Sequence, residues 1–347
     1  MRSTLVPRGV FSRALFACGI ALGALGCGDG EGPTVSPYPR DGELRMNQLQ
    51  SKGTHNSYHV AQDPPPVAEL AYSFEPLTVQ LTEQGVRALE LDVNYHDASG
   101  EFEVFHIILV DEGTHCRRFV DCLKELWAWS ERHPGHQPLF VQIEPKGRFP
   151  SWLGEAFFED FEAQVLMAWP RERVITPDDV QGNDETLDQA VRGRGWPSLG
   201  ESRGKIVFFL NDSGPFRAAY TREHTSLAGR LMFAEASPGD PYAGFVILND
   251  PLERGSAIRA AVDAGYIVRT RADSGLLVSE AGSTEQLEAA LESGAQVIST
   301  DYPAPVSGTD YVVNIPGGTP SRCNPRVAPA DCEAADIESP GRLRGAR

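Results

Sequence analysis

VRALELDVNYH, residues 86–96, reads as a buried strand that runs out into polar residues, and that reading decides the fold. Strand alternation sends Glu90 and Asp92 to one face together, among Val86, Ala88, Leu89, Leu91 and Val93. Two like charges on a buried face are costly without a cation. The same arrangement recurs along the chain: His55 and Asn56 follow an apolar run in GTHNSYH, His106 closes FEVFHI, and Glu144 closes FVQIEPKG. In a parallel barrel the C-terminal ends of successive strands converge on one mouth, so residues far apart in sequence form one compact site.

Eight short apolar or β-branched runs, 46–53, 86–93, 102–108, 138–144, 204–210, 244–249, 266–271 and 296–300, match the strand number of a barrel. Helical patterns fill several of the gaps, at 67–84, 117–132, 153–168, 185–193, 255–264 and 283–293. The last of these has a Ser or Thr at its start and Gly294 as its stop. This alternation predicts an α/β fold with a parallel sheet, a TIM (β/α)8 barrel. The pattern breaks between 86–93 and 102–108, where the gap is too short for a helix, and 231–236 offers an extra strand. Expected boundaries are a signal at 1–26, a Gly-, Pro- and acid-rich tether at 27–43, the barrel at 44–315 and an irregular, coreless extension at 316–347.

The signal is read from Arg2, Arg8 and Arg13 ahead of ALFACGIALGALG, residues 14–26. Its ending resembles a bacterial lipobox with Cys27 as the lipidated residue, although Ala24 stands where an aliphatic residue is usual. The chain is therefore expected to be exported, either anchored through Cys27 or fully secreted. Losing residues 1–26 removes three arginines and no acid, taking the formal charge from -17 to -20. Such a surface repels nucleic acid and bare anionic membranes. It leaves room for a single anionic headgroup, because a bound cation inverts the field inside a cleft. Four cysteines remain beyond Cys27, and pairing 116–122 with 323–332 is preferred among three connectivities. Zinc is the rival, but no CxxC spacing supports it.

The polar residues at the strand ends divide by chemistry. Asn56, Glu90, Asp92 and Glu144 make a four-ligand oxygen site, which suits Ca2+ because that ion tolerates irregular geometry. His55 and His106 supply acid–base groups beside it, as cleavage of a phosphodiester requires. Lys146, Arg269 and Arg271 also end strands and are candidates to hold a phosphate or substrate hydroxyls, with an internal Arg271–Asp273 salt bridge the better reading for Arg271. The other histidines are expected to be solvated, with His59 and His115 the exceptions to watch.

The order GTHNSY, ExD, His, Glu resembles the catalytic X region of calcium-dependent phosphoinositide-specific phospholipases C, and VRTRAD and ISTDYP are similar to their secreted bacterial branch over residues 44–315. The resemblance implies a TIM barrel, Ca2+ on Asn56, Glu90, Asp92 and Glu144, and His55 and His106 as catalytic histidines. It further implies Glu90 as the base for the inositol 2-hydroxyl, a phospholipid headgroup at a membrane surface as partner, and no obligate protein partner for a monomeric chain. Relatives that prefer polyphosphorylated headgroups carry lysines after the fifth strand, whereas here only Lys205 is present, ahead of that strand. A metal-dependent glycerophosphodiesterase is the alternative enzyme, suggested by ISTDYP, although those enzymes begin with His-Arg where this chain has His55-Asn56. A barrel that binds without turnover is the non-enzymatic alternative, and it would need a catalytic group to be missing.

Overall fold

The computed structural model describes residues 38–274, 283–317 and 320–343. The expected signal, Cys27 and the tether up to residue 37 lie outside the described residues. Eight parallel strands form the barrel: β1 (Leu49–Thr54), β2 (Ala88–His96), β4 (Leu139–Pro145), β5 (Ile206–Leu210), β6 (Phe233–Ala234), β7 (Phe245–Ile247), β8 (Ile267–Arg271) and β9 (Val297–Thr300). They hydrogen-bond in the order β6-β5-β4-β2-β1-β9-β8-β7, and a parallel bridge from Glu235 to Phe245 brings β6 back to β7. The staves are buried because helices cover them outside and their own side chains fill them inside: all five residues of β5, IVFFL, are buried, and so are all six of the more polar β1, LQSKGT. Phe209 stacks on Phe245 across the interior, with ring centroids 4.6 Å apart. The barrel is thus a packed core whose chemistry is confined to its ends.

One expected stave has a different role. The run at 102–108 yields β3 (Glu101–Val104), which pairs antiparallel with β2 instead of joining the barrel. Only four residues, 97–100, separate the two strands, and Gly100 turns the chain with φ +70°, so a hairpin is the only connection available. The eighth place falls to the two-residue β6 inside the 231–236 segment. Helices form at Phe119–Arg132, Ala156–Ala168, Leu187–Arg192, Pro251–Asp263 and Glu285–Ser293, close to expectation. The 67–84 pattern instead breaks into a turn at Ala68–Leu70 and a helix at Leu77–Thr82 behind Pro76. None of the helices among the described residues is long and apolar enough to cross a membrane.

The C-terminal segment is part of the core, contrary to the expected irregular extension. Strand β10 (Ser321–Cys323) pairs antiparallel with Leu49–Ser51, the first half of β1, at the end of the barrel away from the mouth. Beyond it Glu338 forms a fully buried ion pair with Arg87, and Ile337 is buried. Tyr38 is buried too: its hydroxyl accepts from Ser339 N, and the Arg203 guanidinium lies 3.5 Å from its ring centroid. The packed domain therefore starts by Tyr38, ahead of the expected Leu44. Both expected disulfides are present, Cys116–Cys122 and Cys323–Cys332, each closing a short loop.

Lys52 in β1 gives the fold a pH-dependent element. It is buried, and its ammonium donates to the carbonyls of Pro303 (2.8 Å) and Val313 (3.2 Å), holding the segment after β9 against β1. With no carboxylate as partner, burial lowers its pKa from 10.5 to about 8. Between those values the unfolded chain binds more protons than the folded one, so stability rises with pH. This contribution is complete above 10.5 and is lost as the pH falls through about 8. Urea unfolding of the parent and of Lys52→Met should show the parent gaining on the variant from about pH 7 to about pH 10. A difference that stays flat across that range contradicts the assignment.

Candidate metal and acid–base site at the barrel mouth

Strand register brings three acids to one point. Glu90 and Asp92 lie on the same face of β2, and Asp92 pairs in register with Glu144 of the neighbouring β4. One carboxylate oxygen from each of Glu90, Asp92 and Glu144 falls within a group spanning 4.8 Å, close enough for a single ion to bridge. Glu90 and Asp92 are buried; Asp92 Oδ1 accepts no hydrogen bond, and Oδ2 lies 2.8 Å from the Lys146 ammonium. Buried acceptors facing two further carboxylates, all of them hard oxygen donors, fit a divalent cation of the Ca2+ type.

The groups around the trio account for its electrostatics. Burial, aided by the nearby Glu144 and Glu90 charges, pushes the Asp92 carboxyl well above its ordinary value, with Lys146 pulling the other way. Burial acts likewise on Glu90, but the Arg269 guanidinium, with help from His55 and Arg271, outweighs it and holds that carboxyl below its usual range. Lys146 reaches Glu144 Oε1 at 2.5 Å and Asp92 Oδ2 at 2.8 Å. Burial alone would lower its pKa, yet the two acids raise it above the ordinary value. The amide of Asn211, just beyond β5, donates to Glu144 Oε2 at 2.8 Å. Lys146 therefore caps the trio, where its position at a strand end had suggested a substrate contact.

Arg269, the other expected substrate contact, is buried behind Glu90. It donates to Glu90 Oε2 at 2.9 Å, to Ser299 Oγ at 3.0 Å and to Asn249 Oδ1. The Arg271 salt bridge goes to Asp301 at 2.7 Å, replacing the expected Asp273. Asp273 instead accepts from Thr300, from Asp301 N and from Tyr311, and burial beside Asp301 pushes its carboxyl up to about 6.

Asn56 follows β1 in the left-handed region at φ 50°, a conformation that Asn tolerates better than most side chains. The turn is clamped to β2 because Ser57 N donates to Glu90 O and Ser57 Oγ accepts from Glu90 N. His55 in the same turn lies with Nδ1 2.9 Å from Asp301 Oδ1. Burial works against the Asp301 charge, but the hydrogen bond and charge of His55, joined by Arg271, hold that carboxyl below its ordinary value. His106, carried past the end of β3, lies with Nδ1 2.9 Å from Asp111 Oδ2. Burial lowers its pKa below the usual imidazole value, against the pull of Asp111. Each histidine therefore presents Nδ1 to a carboxylate and leaves Nε2 for chemistry, the arrangement of a positioned acid–base group.

Several partners escaped the sequence reading: Asp301, Asp111, Asn211 and Tyr72. Asp301 stands in ISTDYP directly after β9 and Asn211 directly after β5, whereas Asp111 lies five residues beyond His106, so strand-end position was a usable signal for Asp301 and Asn211. Of the two flagged histidines, His59 is fully buried against Asp111, and His115 holds the Phe74 carbonyl. His136, expected to be solvated, is buried between Ser130 and the Gln137 carbonyl, and burial lowers its pKa to about 3.

A family model described as "Phosphoinositide phospholipase C, Ca2+-dependent" matches residues 44–103 and 98–325. In fold the chain is similar to the calcium-dependent phosphoinositol-specific phospholipase C of a Pseudomonas sp., at 19% identity over 84% of this chain and 99% of that one, with TM-score 0.57. It is also similar to the Ca2+-dependent phosphatidylinositol-specific phospholipase C of Streptomyces antibioticus, at 20% identity over 75% of this chain and 95% of that one, with TM-score 0.55. A comparison of the sequence with curated proteins found no match.

Proposed function

Because the chain belongs to the Ca2+-dependent phosphoinositide phospholipase C family, whose members are phosphodiesterases, we propose that it cleaves phosphatidylinositol to diacylglycerol and a cyclic inositol phosphate. The observation that carries this reading is the meeting of Glu90, Asp92 and Glu144 at one point of the mouth. Together with Asn56 they would hold Ca2+, which when bound supplies positive charge to ease loss of the inositol 2-hydroxyl proton and to stabilise charge on phosphate oxygen. Glu90, kept ionised by Arg269, accepts the proton of the attacking 2-hydroxyl. His55 and His106 stabilise the crowded phosphorus centre and protonate the departing glycerol oxygen through their Nε2 atoms. Water then opens the cyclic product in a second passage through the same groups.

Two features favour an unphosphorylated headgroup at a lipid surface. Past β5 come Asn211, committed to Glu144, and Asp212, which accepts from Gly214 N and Arg217 N, so no lysine there meets an extra phosphate. Beside Lys146 a cavity of about 570 Å³ opens among Tyr95, Phe105 and Arg148, and Ile108, Leu109 and Trp152 expose apolar side chains around it. Apolar rim residues of this kind suit contact with lipid. Export through the signal at 1–26, with Cys27 as lipid anchor, completes the proposal. The test is 31P NMR of the products formed from phosphatidylinositol vesicles with Ca2+ present. A cyclic inositol phosphate is expected, whereas glycerol phosphate as first product would favour the glycerophosphodiesterase reading.

A further inference from the structure

Behind the mouth runs a chain of contacts that the proposed chemistry does not use. Asn56 Nδ2 donates to the Tyr72 hydroxyl at 3.1 Å. The Tyr72 ring stacks on His59, with centroids 4.2 Å apart and 29° between planes, and the Tyr72 carbonyl lies 2.9 Å from His59 Nδ1. His59 Nε2 in turn lies 3.0 and 2.9 Å from the two oxygens of Asp111, and Asp111 Oδ2 is the oxygen that meets His106 Nδ1. His59 and Asp111 are fully buried, where leaving a polar group unsatisfied is costly.

The backbone explains why Asp111 can reach. Ile107 N donates to Asp111 O and Asp111 N to Ile107 O, so residues 107–111 form a tight hairpin that folds Asp111 back beside His106. His59 is held from both sides: its N–H donates to Asn56 O, and a β-bridge joins it to Thr114. Both of its ring nitrogens meet acceptors, the Tyr72 carbonyl and the Asp111 carboxylate. Both contacts are hydrogen bonds when the His59–Asp111 pair shares one proton, which leaves the pair without net charge. Asp111 then has no hydrogen to give His106, so it accepts from Nδ1 and leaves Nε2 as the nitrogen that takes up a proton and, in the imidazolium form, gives it to the leaving oxygen.

We infer that Asp111 is a positioning residue that fixes the orientation and tautomer of His106, and that the Tyr72–His59 contacts tie it to the Asn56 ligand position. This rests on the reading of His106 as an acid–base group; the first experiment below does not need that reading. Nitrogen NMR of the full mature protein, at a pH where the His106 ring is neutral, should find the hydrogen on Nδ1. A hydrogen on Nε2 overturns the inference.

In Asp111→Ala, His106 Nδ1 loses the carboxylate that accepts from it, so the hydrogen should no longer be confined to Nδ1. Turnover should then fall about 10²- to 10⁴-fold with KM within about threefold. An unchanged tautomer or unchanged turnover contradicts the assignment. Tyr72→Phe removes only the acceptor of Asn56 Nδ2, and should raise the Ca2+ concentration for half-maximal activity about tenfold with the His106 tautomer intact. No change in that concentration removes Tyr72 from the network. Failure of the acid–base reading itself shows separately, as undiminished turnover in His106→Ala.

Discussion

His55→Ala should lower the turnover of phosphatidylinositol by about three orders of magnitude and leave the Ca2+ concentration for half-maximal activity unchanged. The size follows from removing one positioned proton-transfer group, which costs roughly 10²- to 10⁴-fold. The selectivity follows from geometry. The His55 ring contacts Asp301 and Arg271, and those two keep their own ion pair at 2.7 Å when the ring is gone. None of the three carboxylates of the trio hydrogen-bonds to His55, so the ion site should keep its shape. Steady-state kinetics across a Ca2+ series check this, with circular dichroism confirming the fold. A fall in turnover that excess Ca2+ restores would make His55 a support for the ion site instead.

Asp92→Asn gives the second large effect, with a signature of opposite kind. Asp92 is held at a cost: it is buried, Oδ1 accepts no hydrogen bond, and burial pushes its carboxyl well above the ordinary range although Lys146 lies 2.8 Å from Oδ2. A neutral isostere removes that cost, so without Ca2+ the variant should be at least as stable as the parent. In the parent, Ca2+ at about a hundred times its dissociation constant should add about 2.7 kcal/mol of stability, and Asp92→Asn should lose this gain together with the activity. Thermal unfolding with and without Ca2+ measures both. A variant that still gains stability from Ca2+ places the ion elsewhere.

The barrel was legible because most of its staves, though not the polar β1, are short apolar runs, and because GTHNSYH, ALELDVNYH and FVQIEPKG place polar residues at strand ends. The trio followed, since alternation on β2 and one register step to β4 are enough to join Glu90, Asp92 and Glu144. Strand identity was harder. The β3 segment has the pattern of a stave, and only the four-residue turn before it betrays the hairpin, while β6 has two residues and almost no pattern. Partners were harder still. Arg271 could reach either Asp273 or Asp301, and the choice depends on how β8 sits against β9, which spacing does not encode. Arg269 and Lys146 end their strands as a substrate contact would, yet one lies under Glu90 and the other over Glu144. The C-terminal segment lacked periodicity because it is held through single residues, Glu338 on Arg87 and β10 on β1. His136 looked solvated among polar neighbours because the Ser130 hydroxyl and Gln137 carbonyl that satisfy it are not an apolar pattern.

The proposed chemistry rests on one ion bound by the strand ends of β1, β2 and β4. A crystal structure of the protein grown with Ca2+ tests this most directly. The account predicts an ion with oxygens of Asn56, Glu90, Asp92 and Glu144 at about 2.3–2.6 Å, and Lys146 withdrawn from Asp92 to admit it. Lys146 still seated between Asp92 and Glu144 at saturating Ca2+, with no ion among the carboxylates, would contradict it.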